Sequence, residues 1–132
     1  MPLKPKILLI EDDKDQIFIY RFKFEKEGFA FFSARTGAEG IKTAKTEKPD
    51  LILLDLILIN ESGVDILEKL KADEAVKSIP VIILTNLAKK ELKARAQELG
   101  IVDFIIKTQI LPAELVERVR KALKLWIPGN HL

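Results

Sequence analysis

The chain has 132 residues, a formal net charge of +2 at pH 7 and no cysteine. Its length suits a single domain, and the lack of cysteine excludes disulfides, zinc–thiolate sites and thiol nucleophiles. The small charge does not favour nucleic acid or a membrane surface as partner, and no signal peptide or apolar run of membrane-spanning length is recognisable, so we expect a cytoplasmic protein.

Five apolar runs predict five strands, because a continuous short apolar run is typical of a strand buried on both faces. The predicted strands cover residues 7–10, 29–34, 51–59, 81–84 and 103–106. The segments between and after them predict helices over residues 14–27, 37–47, 63–72, 88–99 and 112–125. Five alternating strands and helices indicate an α/β fold with a doubly wound parallel sheet and helices on both faces.

The first helix has a mixed pattern. Phe18, Tyr20, Phe22 and Phe24 alternate along the chain, which is typical of a strand. The segment is long, follows an acidic start and stops at Gly28, so a helix is favoured. Such a helix should expose part of its aromatic surface, either as a docking patch or as the margin of a wide core face.

Polar groups stand at or near the carboxyl ends of four of the five predicted strands. Glu11 and Asp12 follow the first, Asp55 lies within the third, Thr85 follows the fourth and Lys107 the fifth. Because the carboxyl ends of parallel strands share one edge of the sheet, these groups should meet at a ligand crevice. Carboxylates without histidine or cysteine suit Mg²⁺, and with a lysine and a hydroxyl they favour phosphoryl transfer to Asp55.

The segments ILLIEDD (7–13), PDLILLDLILINESG (49–63), PVIILTN (80–86) and DFIIK (103–107), with the spacing between them, resemble the response-regulator receiver family of two-component signalling. The resemblance covers residues 6–125. It implies a flavodoxin-like fold with strand order 2-1-3-4-5. We expect a receiver domain over residues 1–125 and a C-terminal tail over 126–132, either as a stand-alone protein or as a piece of a longer one.

The resemblance also implies roles for the residues at the sheet edge. Asp55 would be the phospho-acceptor, with a histidine kinase or phosphotransfer protein as donor. Asp12 would bind Mg²⁺ directly and Glu11 through water, and Asp55 and the backbone carbonyl of Ile57 would complete the protein ligands. The protein would then be a signalling domain that assists its own phosphorylation and dephosphorylation rather than an enzyme.

Thr85 resembles the family's switch hydroxyl, Lys107 its lysine and Phe104 its switch aromatic. Phosphorylation would change the face made by the fourth helix, the fifth strand and the fifth helix, which would contact an unknown downstream protein or form a homodimer. Basic residues are abundant on these two helices: Lys89, Lys90, Lys93, Arg95, Arg118, Arg120, Lys121 and Lys124.

The chain departs from the family pattern at four positions. Ile59 and Thr108 stand where proline is usual, Asn86 replaces a small residue, and Ser62 replaces a hydrophobic one. A cis peptide bond before a residue other than proline costs about 2.5–4 kcal/mol, so the Lys107–Thr108 bond should be trans.

Two other functions are compatible with parts of the pattern. An aspartyl-nucleophile phosphohydrolase of the haloacid-dehalogenase type usually needs a second acid two residues after the nucleophile, where this chain has Ile57. A pseudo-receiver would keep the fold as a binding module without phosphorylation, and Ile59 and Thr108 keep this alternative open. His131, the single histidine, lies near the chain terminus and is a poor candidate for metal binding or phosphate transfer.

Overall fold

The computed structural model of the protein describes residues 4–124. Within them, five strands form a parallel sheet and two more form a short antiparallel hairpin. In chain order the strands are β1 (Lys6–Ile10), β2 (Ala30–Ala34), β3 (Leu51–Leu54), β4 (Ile57–Leu58), β5 (Glu61–Ser62), β6 (Val81–Thr85) and β7 (Asp103–Ile106). The sheet order is β2-β1-β3-β6-β7, and β4 pairs with β5. With the hairpin set aside, the predicted order 2-1-3-4-5 is confirmed.

Helices cover both faces of the sheet, as predicted. They are α1 (Lys14–Lys26), α2 (Gly37–Glu47), α3 (Gly63–Ala72), α4 (Lys90–Leu99) and α5 (Pro112–Leu123). Buried side chains of α1 and α5 pack on one face of the sheet, and those of α2, α3 and α4 pack on the other.

Alternation along the strands divides the interior into two cores. In β1, Ile7 and Leu9 pack with α1 and α5, whereas Leu8 and Ile10 pack with the helices of the opposite face. Successive side chains of a strand point to opposite faces, so a fully apolar strand contributes to both cores. The sheet is therefore enclosed except at its edges, and the carboxyl edge is where polar side chains collect.

The run 51–59 is not a single buried strand, so that part of the prediction is wrong. β3 ends at Leu54, and the chain then turns into the β4–β5 hairpin. Ile57 and Ile59 are exposed, whereas Leu58 is buried. Apolar content alone cannot distinguish a continuous buried strand from a strand followed by a hairpin whose side chains alternate in burial.

The first helix is confirmed. Asp13 caps it by accepting hydrogen bonds from the amides of Asp15 and Gln16, and the chain leaves it through Gly28 at φ 91°. Its exposed patch consists of Phe18, Ile19 and Phe22. Other helix and strand ends agree with the sequence prediction within a residue or two, the usual uncertainty for element ends. The largest differences are two residues: α4 begins at Lys90 rather than at residue 88, and α5 ends at Leu123 rather than at residue 125.

The predicted tail over 126–132, with His131, lies outside the described residues, as does the last residue of the predicted fifth helix, Leu125. Within residues 4–124, none of the helices combines the length and the apolar character that crossing a membrane requires.

Candidate functional site

A buried lysine joins two buried carboxylates at the carboxyl edge of the sheet. Lys107, which follows β7, donates through Nζ to Asp55 Oδ2 at 2.7 Å and also to Glu11 Oε1. Asp55 follows β3 and Glu11 follows β1, so three strand ends contribute to the contact. The three side chains are 2–8% exposed. Strands that end at the same edge of the sheet thus bring together groups up to 96 positions apart in the chain.

Burial and charge shift the protonation of these groups. Burial raises the pKa of Glu11 to about 7, although hydrogen bonds from Lys107 and from the Asp13 amide act in the opposite direction. For Lys107, burial favours the neutral amine, but the hydrogen bonds and charges of Asp55 and Glu11 outweigh it and raise the lysine pKa. Burial also raises the pKa of Tyr20 beneath the site. The lysine therefore stays charged, and burial favours the protonated form of Glu11.

Asp12 is held by the hairpin that follows β3 and by Arg35. Its Oδ2 accepts a hydrogen bond of 2.6 Å from the Ile59 amide, and its carbonyl accepts from the Arg35 guanidinium at 2.9 and 3.1 Å. Among residues 4–124, no three Asp, Glu, His or Cys side chains are grouped closely enough to share a metal ion. Lys107 lies between Glu11 and Asp55, and the hairpin amide holds Asp12.

The segment after Asp55 is fixed by close backbone packing. Asp55 Oδ1 accepts from the Ile57 amide at 3.0 Å. Glu61 in β5 accepts from the amide of Gly37, the first residue of α2, at 2.9 and 3.1 Å. A Cβ at Gly63 would lie 2.3 Å from the Asp55 carbonyl oxygen, so only glycine allows α3 to begin there. The sequence analysis missed Glu61, although an acid beside a helix N-terminus is a favourable pairing.

Thr85 is fully buried at the end of β6, and its hydroxyl accepts from the Leu87 amide at 3.2 Å. The next residue, Asn86, accepts through Oδ1 from the Thr108 amide at 3.1 Å. The Lys107–Thr108 bond is trans, as predicted. Two of the departures from the family pattern, Asn86 and Thr108, are therefore in contact. A proline at position 108 has no amide hydrogen and could not donate to Asn86.

A groove of about 450 Å³ lies between α4, β7 and α5. Phe104 lines it and carries Lys93 Nζ 5.6 Å from its ring centroid, within the range of a cation–π contact. Four basic side chains line the groove: Lys89, Lys90, Lys93 and Arg118.

The predicted basic face is smaller than the sequence indicated. Arg95 pairs with Glu68 of α3, and Arg120 pairs with Glu27 beyond the end of α1. Both arginine side chains therefore point towards neighbouring helices. The sequence of α4 and α5 did not show on which side of the helix these arginines lie.

The sequence of this chain matches the family model of the response regulator receiver domain over residues 7–120. The chain belongs to the response regulator receiver family. Receiver domains are signalling domains that interact with histidine kinases or phosphotransfer proteins, and they generally bind Mg²⁺.

Relatives of this receiver domain include the polar-differentiation response regulator DivK of Brucella ovis, which is 31% identical over 117 residues, 89% of this chain and 94% of DivK. The alkaline phosphatase synthesis transcriptional regulatory protein PhoP of Bacillus subtilis is 30% identical over 122 residues, 92% of this chain and 50% of PhoP. This chain thus spans about half the length of that longer relative. A CheY-like receiver domain protein from Methanospirillum hungatei has a similar structure, with a TM-score of 0.85, 27% identity and coverage of 93% of this chain and 95% of that one.

Proposed function

We propose that Asp55 accepts a phosphoryl group from a histidine kinase or phosphotransfer protein, with Mg²⁺ bound beside it. The main support for this proposal is the contact of Lys107 Nζ with Asp55 Oδ2 at 2.7 Å, in which both side chains are buried. A lysine fixed on a carboxylate at the carboxyl edge of a parallel sheet is placed to neutralise charge that arrives on that carboxylate.

The transfer is a substitution at phosphorus. A carboxylate oxygen of Asp55 attacks the phosphorus, and the bond from phosphorus to the donor imidazole breaks. The imidazole leaves with the bonding electron pair, and an acyl phosphate remains on Asp55. Lys107 can exchange its contact with the carboxylate for one with the phosphoryl oxygens, because a flexible lysine stem reorients its ammonium group easily.

The donor atoms at this edge fit Mg²⁺, since they are all oxygens. Asp12, Asp55 and the carbonyl of Ile57 would hold the ion, with Glu11 acting through water. One lysine against three carboxylates also leaves an excess of negative charge that a divalent cation would balance. When bound, Mg²⁺ supplies positive charge that offsets the repulsion between these carboxylates and the phosphoryl oxygens.

Phosphorylation of Asp55 would change the groove between α4, β7 and α5. It adds roughly −1.5 to −2 charge and strong acceptor oxygens, towards which the Thr85 hydroxyl would turn. Phe104 would move into the space that Thr85 vacates and draw away from Lys93. Local charge would then change the shape of the groove between α4, β7 and α5.

We place the receiver domain in residues 1–125, with 126–132 as a tail, and we infer that it acts in the cytoplasm. Its output is a protein contact, with an unidentified downstream protein or a second copy, rather than binding to nucleic acid or a membrane. Lys89, Lys90 and Lys93 would favour an acidic partner segment in the groove.

The test is incubation with Mg²⁺ and acetyl phosphate, followed by intact-protein mass spectrometry. The wild type should gain one labile phosphoryl group. Asp55→Asn should gain none, whereas the control Asp65→Asn, an exposed acid in the first turn of α3, should behave as the wild type. Labelling of Asp55→Asn to the wild-type level would contradict the assignment of Asp55.

The same experiment separates the two alternatives. A pseudo-receiver would gain no phosphoryl group, and a phosphohydrolase would release phosphate with continuous turnover. Beryllofluoride, which mimics an acyl phosphate, tests the readout by NMR. The amides of Phe104 and Lys93 should shift in the wild type and stay unchanged in Asp55→Asn.

A further inference from the structure

Large apolar side chains of α1 face solvent side by side. Phe18, Ile19 and Phe22, the α1 patch, are each at least half exposed. Phe18 lies four residues before Phe22 and Ile19 lies three before it, so these side chains are neighbours on the helix surface. The other large apolar side chains that are exposed in residues 4–124 lie outside the helices, at Ile57, Ile59, Val102 and Leu111. An exposed apolar cluster on one helix is typical of a surface that another segment covers.

The segment that follows the described residues is apolar. Residues 125–132, the C-terminal segment, read LWIPGNHL and include no Asp, Glu, Lys or Arg. Trp126, the single tryptophan of the chain, stands between Leu125 and Ile127. Burial of such side chains against an apolar surface is favourable, because it removes them from water. The C-terminal segment is therefore complementary in chemistry to an apolar surface within its reach.

The described chain ends beside the end of α1. Helices α1 and α5 both follow the carboxyl ends of parallel strands, so they run in the same direction. In the last turn of α5, Arg120 donates to the side chain of Glu27, just beyond α1, at 3.1 Å. Lys124 ends α5 in the left-handed conformation at φ 51°, so the chain turns there instead of continuing the helix. The C-terminal segment thus starts near the carboxyl end of α1.

The α1 patch begins on the side of α1 that faces α5. Ile19, Lys23 and Glu27 follow one another at intervals of four residues, so they form a row along the helix. Glu27 contacts Arg120 of α5, so this row faces α5. Phe22 lies about 7.5 Å before Glu27 along the helix axis, and α5 ends about one turn beyond its contact with Glu27. The C-terminal segment spans about 26 Å when extended, so it is long enough to turn back to the patch.

We propose that the C-terminal segment folds back along α1 and docks on the α1 patch of the same chain. Its apolar side chains cover Phe18, Ile19 and Phe22, so a partner protein that uses this surface must first displace it. Ordering the segment costs conformational entropy that offsets most of the gain from apolar burial, and the docked and undocked states are therefore close in free energy. The inference does not depend on the proposed function, because neither the segment nor the patch belongs to the site at the carboxyl edge of the sheet.

Trp126 allows the docking to be measured directly, because no other tryptophan contributes to the fluorescence. The experiment is acrylamide quenching of the full chain in the wild type, in Phe18→Ser/Phe22→Ser and in the control Val102→Ser/Leu111→Ser. The control removes the same number of exposed apolar side chains from outside the helices.

The expected result follows from the fraction of time that Trp126 is shielded. With a docking equilibrium constant of about 1–3, the quenching constant of the wild type should be about two- to fourfold lower than that of Phe18→Ser/Phe22→Ser. The control should match the wild type. Equal quenching of the wild type and Phe18→Ser/Phe22→Ser would overturn the inference, because Trp126 would then be in water or packed elsewhere. Shielding that grows with protein concentration would assign the patch to the segment of a second copy and would overturn docking within one chain.

NMR provides a second measurement that leaves the α1 patch unchanged in sequence. Trp126→Ser in the full chain should shift the backbone amides of Phe18, Ile19 and Phe22, because the weakened segment leaves the patch more of the time. The amide of Leu111, which is also exposed but lies before α5, should stay unchanged. Unshifted amides in the α1 patch would also overturn the inference.

Discussion

The metal-free protein should lose stability as the pH rises, because Glu11 is buried beside Asp55. Burial raises the pKa of Glu11 to about 7 from an ordinary value of 4.5. The folded state therefore binds this proton more tightly than the unfolded chain does. The resulting stabilisation is complete below pH 4.5, the unfolded value, and is lost as the pH rises through about 7, the folded value.

The size of the effect follows from the gap between the two pKa values. One pKa unit corresponds to about 1.36 kcal/mol, so the free energy of unfolding should fall by about 2.5 kcal/mol between about pH 5 and about pH 8. In urea this loss lowers the unfolding midpoint by about 1–2.5 M. The chain has a single histidine, His131, so few other side chains titrate in this interval.

The assay is urea unfolding, followed by circular dichroism, across this pH interval in the presence of EDTA. Glu11→Gln cannot titrate and should show a much smaller dependence on pH than the wild type. Glu91→Gln removes an exposed acid from the first turn of α4 and should follow the wild type. Equal pH dependence in the wild type and Glu11→Gln would refute the role assigned to the buried carboxyl group.

Further predictions concern the core, the exposed patch and the loop after Lys107. Phe24 is fully buried and packs edge-to-face on Phe29, so Phe24→Ala should lower the free energy of unfolding by about 3–5 kcal/mol in urea; a loss under about 1 kcal/mol would contradict this packing. Phe18 and Phe22 are 69% and 63% exposed, so serine at either position should change the same quantity by less than about 0.5 kcal/mol. Asn86→Ala removes the acceptor for the Thr108 amide and should slow phosphorylation by acetyl phosphate. Asn86→Asp keeps an acceptor oxygen and should keep the wild-type rate. Equal rates for the two variants would show that this hydrogen bond does not position Lys107 for the reaction.

The fold was predictable because the local signals for strands and helices all indicate the same alternating α/β fold. Five apolar strands alternate with segments that have helix starts and stops, and each strand is short enough to exclude a buried helix. The contact between Lys107, Asp55 and Glu11 followed from the same logic, since parallel strands end at one edge.

The details that escaped the sequence analysis depend on the backbone. The sequence shows which chemical groups the side chains carry, but every residue except proline has a backbone N–H donor. The hydrogen bonds from Ile59 to Asp12 and from Thr108 to Asn86 therefore could not be predicted from the sequence. The start of the hairpin at residues 57–59 was missed for a different reason, because these residues are as apolar as those of a buried strand.

The close approach of α3 to the Asp55 backbone has a consequence for saturation mutagenesis. A screen scored on signalling alone would place Gly63 beside Asp55 among the essential positions, although glycine has no group that could take part in chemistry. A Cβ there would meet the Leu56 Cα at 2.5 Å, so every replacement should reduce protein abundance as well as output. Scoring abundance in parallel would distinguish a position that the architecture requires from one that the reaction requires.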